Sequence, residues 1–146
     1  MPGYVKIQTI RVVKTINAPI RFVYDWCTDF RDDDSKIIDS KKIRRILFKT
    51  KRRVVYYQSF TGDDGIPKII INLVTLKPPN SWHLEYFGED DDEIGDYRLK
   101  ALSSNKTKLE MTFKEQWKIK KNIPTIREQE KGTSKFWDKF ISALME

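Results

Sequence analysis

Glu115 is the residue of this 146-residue chain whose type and setting most invite chemistry. It stands in the alternating series Leu109, Met111, Phe113, Glu115, Trp117. A strand sends every second side chain to the same face, so the carboxyl is expected among apolar neighbours. A buried carboxylate needs a partner, and Arg98, on the preceding strand, is the expected one. Such a pair serves a structural ion pair as well as an acid–base device, and the sequence leaves both open. Tyr97 is the third group that could join proton transfer.

Other reactive types carry less. His83 is the single histidine and could act as a base near neutrality. It alternates against Trp82, Leu84 and Tyr86, so it is expected on the outer face, and no nucleophile–histidine constellation can be assembled. Cys27, the single cysteine, lies on an apolar helix face and reads as a small buried hydrophobe. Asp32, Asp33 and Asp34, and the run from Glu89 to Glu93, lack the ligand spacing of a calcium loop. Both are expected to be solvated loops, and no metal or cofactor is expected. Residues 41–53 form a basic hairpin with Lys41, Lys42, Arg44, Arg45, Lys49, Lys51, Arg52 and Arg53. It could meet phosphates, but it lacks the interleaved aromatics of a single-strand binder. Edge-strand protection by solvated cations is the favoured reading, so nucleic acid is an unfavoured partner.

These side chains need elements to hold them. Residues 4–16 read as a long twisted strand with neither face cleanly apolar. Asn17 and Pro19 mark a helix start, and helical spacing continues over residues 19–29. A short helix is expected over 32–38. Strands follow at 41–48, 53–60, 66–76, 82–87, 94–102 and 107–118, with turn residues between them. From Pro124 to Leu144 the period returns to helical, and Thr125 and Glu128 have the spacing of a capping box. The expected architecture is α+β, β-α-α-β6-α, with a curved antiparallel sheet wrapped around a long C-terminal helix. One helix cannot fill a strongly bent sheet, so a pocket between them is expected. Its candidate walls are Trp26, Tyr56, Tyr86, Tyr97, Met111, Phe113, Trp117, Thr133 and Trp137. Arg98, Glu115 and Glu130 are the inward polar groups that would mark a ligand site. Gly132 is expected to let helix and sheet approach, or to let the helix flex.

Length and composition fit one globular domain over residues 1–146. The net charge of +7 permits anionic partners without establishing one. No apolar run approaches the roughly 20 residues that span a bilayer. The first residues lack the order of a signal peptide, which makes a cytoplasmic protein the expectation.

The run VVKTINAPIRFVYDWCTDF, residues 12–30, and the closing FWDKFISALME, residues 136–146, resemble the opening and closing segments of the SRPBCC superfamily. That superfamily includes START domains, pollen-allergen-like proteins and polyketide cyclase/dehydratases. The resemblance spans nearly the whole chain and implies the helix-grip fold. It implies binding or carriage of a hydrophobic small molecule or lipid between sheet and C-terminal helix. A cyclase/dehydratase-type enzyme, acting on a polyketide-like or aromatic substrate through Glu115, Arg98 and Tyr97, is the alternative. An interaction module using the basic hairpin is a third. With no catalytic constellation in view, a binding protein is favoured over an enzyme.

Overall fold

The computed structural model describes residues 3–30, 43–61 and 65–146. The expected helix at 32–38, together with Lys41 and Lys42, lies outside them. Strand β1 (Lys6–Ile16) leads into helix α1 (Ile20–Cys27). Strands β2 (Ile43–Lys49), β3 (Arg53–Thr61), β4 (Pro67–Lys77), β5 (Ser81–Phe87), β6 (Asp91–Ser103) and β7 (Lys106–Trp117) follow. Helix α2 (Ile126–Leu144) closes the chain. The strands form one curved antiparallel sheet in the order β1-β7-β6-β5-β4-β3-β2. The meander accounts for every neighbour except β1, which closes onto β7. The expected α+β helix-grip architecture is the one observed.

Cross-strand register sorts the covered face of the sheet into rungs. One rung runs Val54, Val74, Leu84, Gly95, Phe113, Ile10. Another runs Leu76, Trp82, Tyr97, Met111, Val12. These residues make most of the core with Ile16, Val23, Leu99 and Leu109. Gly95 lies under the Phe113 ring, where a Cβ would stand 3.1 Å from Phe113 Cδ1 and 3.2 Å from Tyr97 Cε2. Its bareness lets two aromatic rings settle close to the sheet.

On β1 the buried residues are Gln8, Ile10, Val12 and Ile16, which settles the face that the pattern left unresolved. Asn17 makes no cap. Pro19 occupies the N-cap position of α1 with extended backbone. The largest departure is β6. It starts at Asp91, not Ile94, so the acidic run reaches into a strand instead of ending in a loop. Only Gly88, Glu89 and Asp90 remain for the turn, closed by Gly88 N–H donating to Asp91 O at 2.9 Å.

Helix α2 starts at the expected capping box. Glu128 N–H donates to Thr125 Oγ1 at 3.1 Å, and Thr125 N–H donates to Glu128 Oε1 at 3.3 Å. Three polar links then tie α2 to β1. Gln129 Nε2 donates to Gln8 Oε1, Arg11 N–H donates to Glu130 Oε2 at 2.9 Å, and Lys14 Nζ meets Asp138 Oδ1 at 2.6 Å. The helix is thereby held against one edge of the sheet. Its aromatic side, Phe136, Trp137 and Phe140, reaches over the middle.

Candidate functional site

Between α2 and strands β2–β7 lies a half-open cavity of about 400 Å³. Its walls include Tyr56, Leu84, Tyr86, Tyr97 and Phe113 from the sheet and Gly132, Thr133, Phe136, Trp137 and Phe140 from α2. An adjoining void of about 90 Å³, reaching Cys27, Phe30 and Trp82, shares most of these walls. The aromatics brace one another. Trp82 stacks on Tyr97 at 4.8 Å, Tyr97 meets Phe113 edge-on at 5.5 Å, and Trp137 meets Phe140 at 5.3 Å. Offset and edge-on contacts of this kind give a stiff wall.

The polar part of the cavity comes from one rung. Tyr56, Asn72, Tyr86, Glu93, Glu115 and Gln8 are register partners in sequence across β3, β4, β5, β6, β7 and β1. Gln8 passes the rung on to Gln129 of α2. Among them Tyr56, Asn72, Tyr86 and Glu93 line the cavity, with Arg44 and Gln58 beside them. Asn72 is 2% exposed, and its Nδ2 has no hydrogen-bond acceptor. Buried amide groups are nearly always paired, so one facing a cavity calls for an explanation.

Glu93 and Glu115 sit opposite each other on β6 and β7. Among the described residues neither is paired with a cation. Burial pushes the Glu93 carboxyl up to about 8, helped by the negative charge of Glu115 and then of Asp91. Burial, with Asp91, pushes Glu115 up to about 7. Asp91 is itself raised, chiefly by burial, although Tyr86 Oη donates to its Oδ1 at 3.2 Å. The site therefore holds carboxyls that change charge near neutrality.

Tyr56, Tyr86, Tyr97, Phe113, Thr133 and Trp137 come together on this cavity. Glu115 is buried beside it, on the rung next to Glu93. The other expected residues go elsewhere. Arg98 points to the opposite face of the sheet, since Tyr97 takes the covered face. It is exposed, stands across from Glu110, and cannot partner Glu115. Glu130 is spent on the Arg11 amide. Met111 is core packing without cavity surface, and Trp117 lies at the end of β7. Trp26 packs against Phe140 at 4.3 Å and lines a shallow surface depression with Phe22 and Asp25. Gly132 stands at the cavity wall, where an added Cβ would meet nothing within 4 Å, so it is not a point of close approach.

Several side chains of the site lie beyond the sequence expectations, Arg44, Glu93 and Asn72 among them. Arg44, expected on an outward basic surface, turns inward over Tyr56, 4.5 Å from its ring centroid. Glu93 is expected in a solvated loop, and Asn72 is hidden in an aliphatic run. A signal for both exists: each alternates with residues of the covered face, Asn72 with Ile70 and Val74, Glu93 with Gly95 and Tyr97. His83 keeps its expected outer face, where Asp96 Oδ1 lies 2.7 Å from Nδ1. Cys27 is buried, and desolvation pushes its thiol up to about 12.

Solved structures share this arrangement. A protein of Thermus thermophilus superposes with a TM-score of 0.76 at 12% identity, covering 94% of this chain and 97% of that one. The fold is the START-like helix-grip fold. A START superfamily protein of Mycobacterium smegmatis matches it with a TM-score of 0.67 at 12% identity, over 93% of each chain. The Zhui aromatase/cyclase of Streptomyces sp. R1128 matches with a TM-score of 0.73 at 14% identity, over 95% of this chain and 92% of that one. No family model and no curated protein matches the sequence. At such identities the helix-grip likeness speaks for the architecture alone. No helix among the described residues is long and apolar enough to cross a membrane.

Proposed function

We propose that this helix-grip chain, acting as one domain, binds a flat, largely apolar small molecule between the sheet and α2. The observation that carries this is the Asn72 amide, buried and without an acceptor on a cavity wall rich in aromatic side chains. Small-molecule sites are mostly apolar clefts with a few convergent polar groups, commonly of about 300–1,000 Å³. This cavity has that size and composition. The cavity is half-open, which gives a route in, and the bound molecule would meet Trp137 and Tyr97 by stacking.

A titration with methoxynaphthylethanol, read by tryptophan fluorescence, tests the reading. Saturable one-to-one binding is expected. Thr133→Trp, whose side chain would enter the cavity from α2, should weaken it more than tenfold while the circular dichroism spectrum is retained. No saturable binding, or equal binding by the folded variant, contradicts the proposal.

One observation favours chemistry as a second reading. The Glu93–Glu115 pair titrates near neutrality, as a general acid or base must. In this reading Glu93, and not Arg98, is the partner of Glu115, and the substrate would be an enolisable aromatic ketone. Enzyme-dependent deuterium exchange at the α carbon of tetralone, reduced by Glu93→Gln, is the expected result. Exchange at the buffer rate contradicts it.

A further inference from the structure

The ligand's chemical class can be narrowed from the polar rung, on the premise that the cavity binds a small molecule as proposed above. The geometry points to a ligand that carries a protonated amine toward Glu93 and Glu115 and an acceptor oxygen toward Asn72, with a flat apolar body between them. Three facts lead there.

The first is the company Glu93 keeps. Tyr86 faces it from β5, Asp91 stands two residues away on β6, and Glu115 opposes it from β7. Across the cavity stand Arg44 of β2 and Tyr56 of β3, with Arg44 held over the Tyr56 ring. Helix α2 contributes Gly132, Thr133 and aromatic side chains to the lining, and no charge. Two cations at the acidic run are engaged elsewhere: Lys68 meets Asp90 Oδ2 at 2.5 Å, and Lys118 meets Asp92 Oδ1 at 2.8 Å and donates to Gly88 O at 2.8 Å. Carboxyl groups are thus gathered at one end of the cavity, and among the described residues no cation forms an ion pair with Glu93 or Glu115.

The second is Asn72. It lies on the same rung, two strands from Glu93, which is about 10 Å at the spacing of neighbouring strands. Its unpaired Nδ2 is a donor, so it requires an acceptor and cannot itself satisfy an ammonium. The two ends of the rung therefore ask for opposite hydrogen-bonding chemistry. One molecule long enough to span them satisfies both.

The third is the surface around them: Tyr86 stands between Asn72 and Glu93 on the rung, and the neighbouring rungs are aromatic. Tyr97 and Phe113 line the sheet side and Trp137 lines the helix side. These faces suit a flat ring and add cation–π attraction for an ammonium close to an aromatic edge of the site.

An ammonium would draw a proton off the carboxyl pair on binding. Glu93 is pushed up to about 8 in the protein alone, so binding of a permanently protonated amine strengthens as pH rises toward that value and levels off above it. The gain approaches tenfold per pH unit for each proton released. A neutral ligand of the same shape has no such dependence.

The test compares methoxynaphthylethylamine with methoxynaphthylethanol on the full chain, between about pH 6 and pH 9. The amine is expected to bind at least tenfold more tightly than the alcohol near pH 9, and to lose that advantage near pH 6. Glu93→Gln should shrink the amine-to-alcohol ratio by tenfold or more; Glu115→Gln gives the same readout if Glu93→Gln does not fold. Equal binding of the two probes at every pH, or a ratio unmoved in the variants, overturns the amine assignment while leaving the binding proposal standing. Failure of both probes to bind overturns the binding proposal, and this inference with it.

Discussion

Glu93 and Glu115 oppose each other across the β6–β7 ladder, both on the side of the sheet that α2 covers. Directly opposed residues of an antiparallel pair have Cβ atoms about 5 Å apart. Two carboxylates at that separation in a largely buried site cannot both ionise cheaply. The arrangement costs stability where both are charged and is tolerated where at least one is protonated.

That cost has a definite sign. Both carboxyls start from 4.5, and folding pushes Glu93 up to about 8 and Glu115 up to about 7. Through that window the folded chain holds more protons than the unfolded one, so this contribution to stability is fully present below 4.5 and is lost as pH rises. Glu93→Gln should therefore be more stable than the parent near pH 9, by roughly 2–4 kcal/mol, with the gap closing toward pH 5. Urea unfolding at the two pH values measures it. A variant that is less stable near pH 9 would show that the carboxylate has a stabilising partner.

Asn72→Leu separates stability from binding. Leucine removes the unpaired amide at similar volume, so it should stabilise the chain by about 1–2 kcal/mol and raise Tm by about 3–7 °C. The same change should weaken any ligand that offers Asn72 an acceptor. Differential scanning calorimetry checks the first statement; a fall in Tm would mean that the amide is satisfied in solution.

The sheet and helix are legible in the sequence because their signals are local. Alternation places Trp82, Leu84, Tyr86 and Phe113 toward the helix, and Thr125 with Glu128 announces the start of α2. The polar rung is legible only in part: alternation with the covered face marks Asn72 and Glu93, but their chemistry and their neighbours in the chain speak against it. Glu93 stands within a run of five acidic residues that composition assigns to solvent, and only the strand extension to Asp91 turns it inward. Which residues face one another across strands depends on register, which turn lengths fix and a single sequence does not display. Arg98 fails as the partner of Glu115 by alternation alone: it follows Tyr97 on β6, so its side chain goes to the other face.

Gly132 is a matter of propensity. A methyl group there would meet nothing within 4 Å. Gly132→Ala should therefore stabilise α2 by about 1 kcal/mol, the usual gain in a helix interior. Chemical denaturation measures this, and destabilisation would restore the idea that helix and sheet need a close approach at this point.

Cys27 should be inert. With its thiol buried and pushed up to about 12, almost none is thiolate at neutral pH. Ellman's reagent should leave the native protein unlabelled and modify one thiol after unfolding in guanidinium. Prompt labelling of the native chain would mean that α1 opens readily.

The central claim is that a ligand sits against Asn72 and Trp137 beneath α2. Titration of methoxynaphthylethanol into the nitrogen-15-labelled protein, followed by two-dimensional NMR, tests it most directly. The Asn72 side-chain amide and the Trp137 indole resonances should move together and saturate, while the Trp117 indole, away from the cavity lining, stays in place. Shifts confined to residues outside the cavity, or none at saturating ligand, would contradict the claim.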